Sequence, residues 1–302
     1  MPQFHLPATD PAANFGELIH HSSFYSHTLG NERDLVVYLP PGYQREAGRG
    51  YPVLYMQDGQ NLFDGRTSFV PGQHWHLSET ADNLIRENAI EPPIIVGIHH
   101  AGQQRVEEYT PTHDPNFKVG GGADLYGRMI VEELKPFIDG AYHTLPGREH
   151  TGLGGSSLGG LVSLYLGFKQ SDTFGRVIAM SPSLWWDRRW LLRHLGQLDQ
   201  VATLRLWLDA GTREGGGTRR NAKALSDALV ARGFKAGFTF MEAEGASHCE
   251  QDWAHRVHHA LRFVYPAQPV ETEQQSSDRA PHHHSRVTSR LRLASGHETF
   301  GR

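Results

Sequence analysis

Short runs of consecutive apolar residues alternate along this chain with longer stretches in which apolar positions recur every three or four residues. A continuous apolar run suits a strand buried on both faces, and the longer period suits a helix with one apolar stripe. Six runs read as strands: 33–39 (RDLVVYL), 52–57 (PVLYMQ), 93–98 (PIIVGI), 176–180, 204–208 (LRLWL) and 237–241. Helical spacing covers 77–87, 124–138, 158–168, 219–231 and 251–263, with Ile130, Leu134 and Phe137 on one face as an example. Turn signals close the first two strands, Pro40-Pro41-Gly42-Tyr43 and Asp58-Gly59, so a hairpin-like start is predicted. The alternation predicts an α/β fold whose mostly parallel central sheet carries helices on both faces. It stops after Tyr265, which predicts one domain over 1–266 and a disordered tail over 267–302. The connection 102–122 holds Pro111, Pro115 and three consecutive glycines, and its length predicts that it borders the active site.

Composition narrows the function classes. With 29 basic residues against 33 acidic and a formal charge of −4, the chain lacks the footprint of a nucleic-acid binder. No apolar run is long enough for a transmembrane helix, so no membrane partner is expected. The first residues carry no basic start followed by an apolar core, which makes cytoplasmic residence the default expectation. The single Cys249 excludes an intrachain disulfide and reads as a small packing residue rather than a reactive thiol. Twenty histidines raise the question of metal. Yet His20-His21, His99-His100, His258-His259 and the triplet at 282–284 are adjacent, and neighbours on a helix or strand point apart. His255 and His259 are four apart but lack the glutamate of an H-E-x-x-H pattern. No metal and no other cofactor is expected.

The chemistry concentrates in Gly155-Ser156-Ser157-Leu158-Gly159, which fits G-x-S-x-G between a strand position and a helical stretch. A sharp strand-to-helix turn exposes Ser157 as a nucleophile, and it needs glycines where a Cβ would clash. The same turn puts the N–H of Leu158 at the positive end of a helix, where it can stabilise an oxyanion. Such a serine requires an acid and then a histidine later in the chain, each just past a strand. His248 lies in a loop after 237–241, whereas His194 falls in a helical stretch, so His248 is the candidate base. Asp209 and Glu214 both qualify as the acid, and spacing leaves the choice open. Trp185 and Trp186 are candidates for an apolar pocket wall or for core. Arg105 could meet an anionic substrate group or pair with Glu107 or Glu108, and the structural role is favoured.

These segments together resemble the putative esterase family of α/β-hydrolases, which includes enterochelin-type siderophore esterases, feruloyl and acetylxylan esterases and S-formylglutathione hydrolase. The resemblance is carried by VYLPPGY at 37–43, YPVLYMQDGQNLF at 51–63, RVEEYTP at 105–111, EELKPFID at 132–139, GGSSLGGL at 154–161, MSPSLWW at 180–186, DAGTREG at 209–215 and EGASHCEQDW at 244–253. It implies an α/β-hydrolase fold with Ser157 as nucleophile, His248 as base and Glu214 rather than Asp209 as acid. It also implies an oxyanion hole from the N–H groups of Leu158 and Gln60, with Asp58 and Asn61 beside it as pocket candidates. The expected activity is hydrolysis of a small-molecule carboxylic ester through an acyl-enzyme. A siderophore lactone or small acyl sugar stands ahead of S-formylglutathione. A non-catalytic relative that binds a ligand or partner is the alternative, and homo-oligomerisation is left open.

Overall fold

Along each central strand, successive side chains enter different layers, as the two-residue period of a strand demands. Val53 and Tyr55 pack with one apolar cluster, while Leu54 and Met56 pack with the other. The same parity divides Leu35, Val37 and Leu39 from Val36 and Tyr38, and Val177 and Ala179 from Ile178 and Met180. A sheet buried on both faces is the consequence. The computed structural model describes residues 15–43, 48–197, 204–215, 217–234 and 236–267.

The strands are β1 (Glu17–Ser26), β2 (Asn31–Leu39), β3 (Val53–Gln57), β4 (Ile94–Ile98), β5 (Thr151–Ser156), β6 (Arg176–Met180), β7 (Arg205–Gly211) and β8 (Phe238–Ala243). They form one sheet in the order β1-β2-β4-β3-β5-β6-β7-β8. The β1/β2 and β2/β4 pairs are antiparallel and the remaining pairs are parallel. The helices of four or more residues are α1 (Leu77–Arg86), α2 (Arg105–Glu108), α3 (Ala123–Arg128), α4 (Lys135–Ala141), α5 (Ser157–Lys169), α6 (Trp186–His194), α7 (Thr218–Ala231) and α8 (Glu250–Val264), with a π-helical segment, Met129–Leu134, joining α3 to α4. Helices α1 and α8 cover one face, with Leu77, Ala81, Val257 and Leu261 in its core. Helices α3 to α7 cover the other through residues such as Tyr126, Leu161, Leu191 and Leu225.

Each of the six expected strands and five expected helices has its counterpart. The expected hairpin between 33–39 and 52–57 is corrected, because β4 lies between β2 and β3. The hairpin that does form is β1 with β2. The sequence concealed β1 because it is an edge strand with one neighbour, and its largely exposed positions tolerate His20, His21, Ser22 and Ser23. The connection 102–122 contains a 3-10 turn (Gly102–Gln104) followed by α2, so it is more ordered than its glycines suggested. The expected tail lies, from residue 268 onward, outside the described residues. No helix among the described residues is long and apolar enough to cross a membrane.

Candidate active site

Four parallel strands deliver the chemistry at their carboxyl ends, the edge of an open α/β sheet where ligands bind. Strand β5 ends at Ser156, and Ser157 opens α5 in the left-handed region at φ 55°. A β-carbon on Gly155 would lie 2.8 Å from the backbone of Gly159, and one on Gly159 would lie 2.9 Å from Cβ of Gln57. The turn can therefore close against β3 only with glycine at both positions. Glu214 follows β7, His248 follows β8, and the 3-10 turn Gly59–Asn61 follows β3.

Ser157 Oγ lies 3.0 Å from His248 Nε2, and His248 Nδ1 lies 3.1 Å from Glu214 Oε2. Burial works to raise the Glu214 carboxyl, but hydrogen bonds from His248, Ser181 and the Gly211 N–H outweigh it and hold the group below its ordinary value. The carboxylate is ionised and can only accept, so Nδ1–H donates to it and Nε2 is left to accept from the serine hydroxyl. The His248 ring stands edge-on to Trp253, with centroids 4.9 Å apart. The second Glu214 oxygen, Oε1, accepts from Gly211 N (2.8 Å), Arg256 Nη2 (3.2 Å) and the Ser181 hydroxyl.

Asp209 sits elsewhere in the same layer. It is fully buried and accepts from Arg256 Nε (3.1 Å), Arg256 Nη2 (3.0 Å), Trp207 Nε1 (2.8 Å) and Ser181 N (3.2 Å). No hydrogen bond joins it to His248 among the described residues, so the geometry selects Glu214 as the histidine's partner. Desolvation pushes the Asp209 carboxyl above its ordinary value against the pull of Arg256.

Ser157 and His248 open into a cavity of about 640 Å³ whose wall includes Asp58, Gln60, Asn61, Arg105, Glu250 and Trp253. Gln60 and Leu158 are both buried, on the turns that follow β3 and β5 respectively. Arg105 grips Asp58 through two bonds of 2.7 Å, Nε to Oδ1 and Nη2 to Oδ2. This corrects the expected pairing with Glu107 or Glu108: Glu108 is instead held by Arg33 at 2.9 Å, and Glu107 accepts from Gly120 N. Asp58 has φ 55°, so the grip fixes a left-handed residue directly before the 3-10 turn. Asn61 is held by Glu250, Ser68 and Phe69 N rather than left free for substrate. Burial lowers His100 and raises the Cys249 thiol, which leaves both uncharged at neutral pH.

A family model described as "Putative esterase" matches residues 26–264. The chain belongs to the esterase family. Over 256 residues it is 26% identical to the uncharacterized protein YbbA of Bacillus subtilis, covering 80% of this chain and 96% of YbbA. The ferri-bacillibactin esterase BesA of Bacillus subtilis is 28% identical over 225 residues, covering 65% of this chain and 73% of BesA. The solved BES protein from Bacillus cereus shares the fold, with a TM-score of 0.69 at 24% identity over 87% of this chain and 99% of that one. Family membership makes the protein a carboxylic ester hydrolase of α/β-hydrolase fold and displaces the non-catalytic alternative.

In this esterase, Ser157, His248, Asp58, Gln60, Asn61 and Arg105 line one cavity, with Glu214 bonded to His248 behind it, while Trp185 and Trp186 lie outside it. Trp186 is buried and donates from Nε1 to Thr112 O at 2.9 Å. Trp185 is exposed and lines a separate cavity with Arg188, Arg189 and Asn221. Sequence reasoning missed Ser183, whose Oγ lies 3.2 Å from that of Ser157, and the buried Ser181, Trp253 and Arg256. Ser181 and Ser183 follow β6 while Trp253 and Arg256 lie on α8, and nothing in either local sequence signals that the two segments meet beside Glu214. Away from the cavity, the three-membered group of metal-type donors among the described residues is His74, His76 and Glu79, with donor atoms within 4.8 Å of one another. His76 and Glu79 of that group are solvent-exposed.

Proposed function

We propose that this esterase works through an acyl-enzyme on Ser157. The observation that carries the reading is the unbroken chain from Ser157 Oγ to His248 at 3.0 Å and on to Glu214 at 3.1 Å. His248 Nε2 takes the hydroxyl proton as Oγ attacks the ester carbonyl, and returns it to the departing alcohol. Glu214 holds the imidazole in the required tautomer and stabilises the imidazolium. The N–H groups of Leu158 and Gln60 receive the negative charge that develops on the carbonyl oxygen, at a helix N-terminus and a 3-10 turn. Water then repeats the sequence on the acyl-enzyme.

The cavity wall supports uncharged ester groups beside Ser157. Its formal charges are Asp58 and Glu250 against Arg105, and the Arg105 guanidinium is already taken by Asp58. Phe69, Val70 and Val106 supply apolar wall. A lactone backbone or acylated sugar meets that description at the scissile ester. The preference for the lactone rests on the relation to a ferri-bacillibactin esterase, since this wall does not neutralise the anionic catecholates of such a siderophore. S-formylglutathione, with its carboxylates, is disfavoured. Ser157→Ala is expected to lower turnover of p-nitrophenyl acetate by about 10⁴-fold. A panel of siderophore trilactone, acetylated xylooligosaccharide, feruloyl ester and S-formylglutathione then ranks substrates. Retained turnover in Ser157→Ala would overturn the mechanism, and preference for S-formylglutathione would overturn the substrate class.

A further inference from the structure

Behind Glu214 lies a charge arrangement that its role as acid does not by itself require. Arg256 is 4% exposed and stands between two buried carboxylates, Asp209 at 0% and Glu214 at 4%. Its contacts are unequal: two bonds to Asp209 Oδ1, at 3.1 and 3.0 Å, and one of 3.2 Å to Glu214 Oε1. Every hydrogen-bond partner of Asp209 is a donor, so the carboxylate it presents is the ionised one. Ser181 links the three groups. Its Oγ accepts from Arg256 Nη2 (2.6 Å) and Trp253 Nε1 (3.1 Å), which leaves its one proton for Glu214 Oε1.

The charge count is simple: two carboxylates and one guanidinium leave one net negative charge, facing His248. We infer that Arg256 and Asp209 are positioning residues that set the charge available to His248. The guanidinium keeps two neighbouring buried carboxylates ionised, and Asp209 draws it away from Glu214 so that Glu214 is not neutralised. Without Arg256, two like charges would share a dry site, and one would take up a proton. Without Asp209, the guanidinium would fall wholly on Glu214 and weaken its hold on the imidazolium. This inference rests on the proposed role of Glu214. The other groups facing His248 and its cavity are Asp58, Arg105, Glu250, His100 and Cys249, while Asp252 holds Ser247 N behind the loop. All of these stay unchanged in the test.

The experiment is the pH profile of kcat/KM for p-nitrophenyl acetate in wild type, Asp209→Asn, Arg256→Met, the double variant and Glu214→Gln, with thermal unfolding of each. Asp209→Asn is expected to lower kcat/KM about tenfold and to move the acid limb about one pH unit down, since a one-unit shift corresponds to a tenfold change in an equilibrium. Arg256→Met is expected to lose about 100-fold, because the proton that the two carboxylates then take up falls on Glu214 as well as on Asp209, and a protonated Glu214 cannot hold the imidazolium. The double variant, with a single carboxylate restored, is expected to recover to within about tenfold of wild type, with its acid limb at or above the wild-type position. An Asp209→Asn limb that stays in place, or a double variant no better than Arg256→Met, would overturn the inference and leave the residues a purely structural role. If Arg256→Met does not fold, the Asp209→Asn limb decides alone. Glu214→Gln separates the two readings. If it leaves rate and limb unchanged, the role of Glu214 itself fails. If it abolishes activity while Asp209→Asn is silent, only the charge-setting role fails.

Discussion

At the scale of single residues, the decisive contrast is between two acidic side chains five positions apart. Asp209 lies two residues before the end of strand β7 and points into a buried cluster of donors, whereas Glu214 reaches back from the following turn to His248. Their environments push them in opposite directions, Asp209 up by desolvation and Glu214 down because hydrogen bonds outweigh its burial. A carboxylate whose folded value is depressed stabilises the fold above the ordinary carboxylate range, and loses that contribution as pH falls through its folded value. The stability gap between wild type and Glu214→Gln should therefore be widest near neutrality and close on acidification. Denaturant titrations from pH 7 down through the carboxylate range to about pH 3 check this, and a gap that grows below the ordinary carboxylate value would contradict the assigned direction. The sequence narrowed the acid to these two residues. It could not choose between them by spacing, because the choice depends on where Arg256, 42 positions beyond Glu214, brings its guanidinium.

At the scale of elements, the site depends on two turns that must keep unusual backbone conformations. Ser157 is held at positive φ by the close fit of Gly155 and Gly159 against each other and Gln57. The β3 turn relies instead on Asp58, also at positive φ, clamped by Arg105 from α2. Removing that clamp in Arg105→Ala should loosen the turn that carries Gln60. An oxyanion-hole donor is commonly worth about 10² to 10³ in kcat, so a loss of about tenfold or more in kcat with little change in KM is expected. Steady-state kinetics on a neutral ester test this, and an effect confined to KM would make Arg105 a substrate contact instead. The glycines were legible because a five-residue motif places one on each side of Ser157. The clamp was not, since its partners are 47 residues apart and meet only when α2 folds over the end of β3.

At the scale of the whole molecule, strand β2 and the connection over the active site are tied by a buried ion pair. Arg33 on β2 and Glu108 on α2 are 0% and 4% exposed and bond at 2.9 and 3.0 Å, with Asn31 also donating to Glu108. Glu108→Gln leaves the Arg33 charge without its counter-ion, and breaking such a buried pair commonly costs about 3–5 kcal/mol. Urea unfolding should show that loss, and a change under about 1 kcal/mol would mean that the pair is solvated. The sequence by itself determined six of the strands, five of the helical stretches, the glycine-flanked turn at Ser157 and the loop position of His248. These follow from local periods and from steric demands on neighbouring residues. The tertiary structure alone decided the place of β4 between β2 and β3, the partner of Arg105, the removal of Trp185 and Trp186 from the cavity and the anchoring of Asp209 by Arg256. The physical reason is common to all four. Each depends on which distant charge, donor or strand edge comes within a few ångströms after burial, and such proximity has no period along the chain.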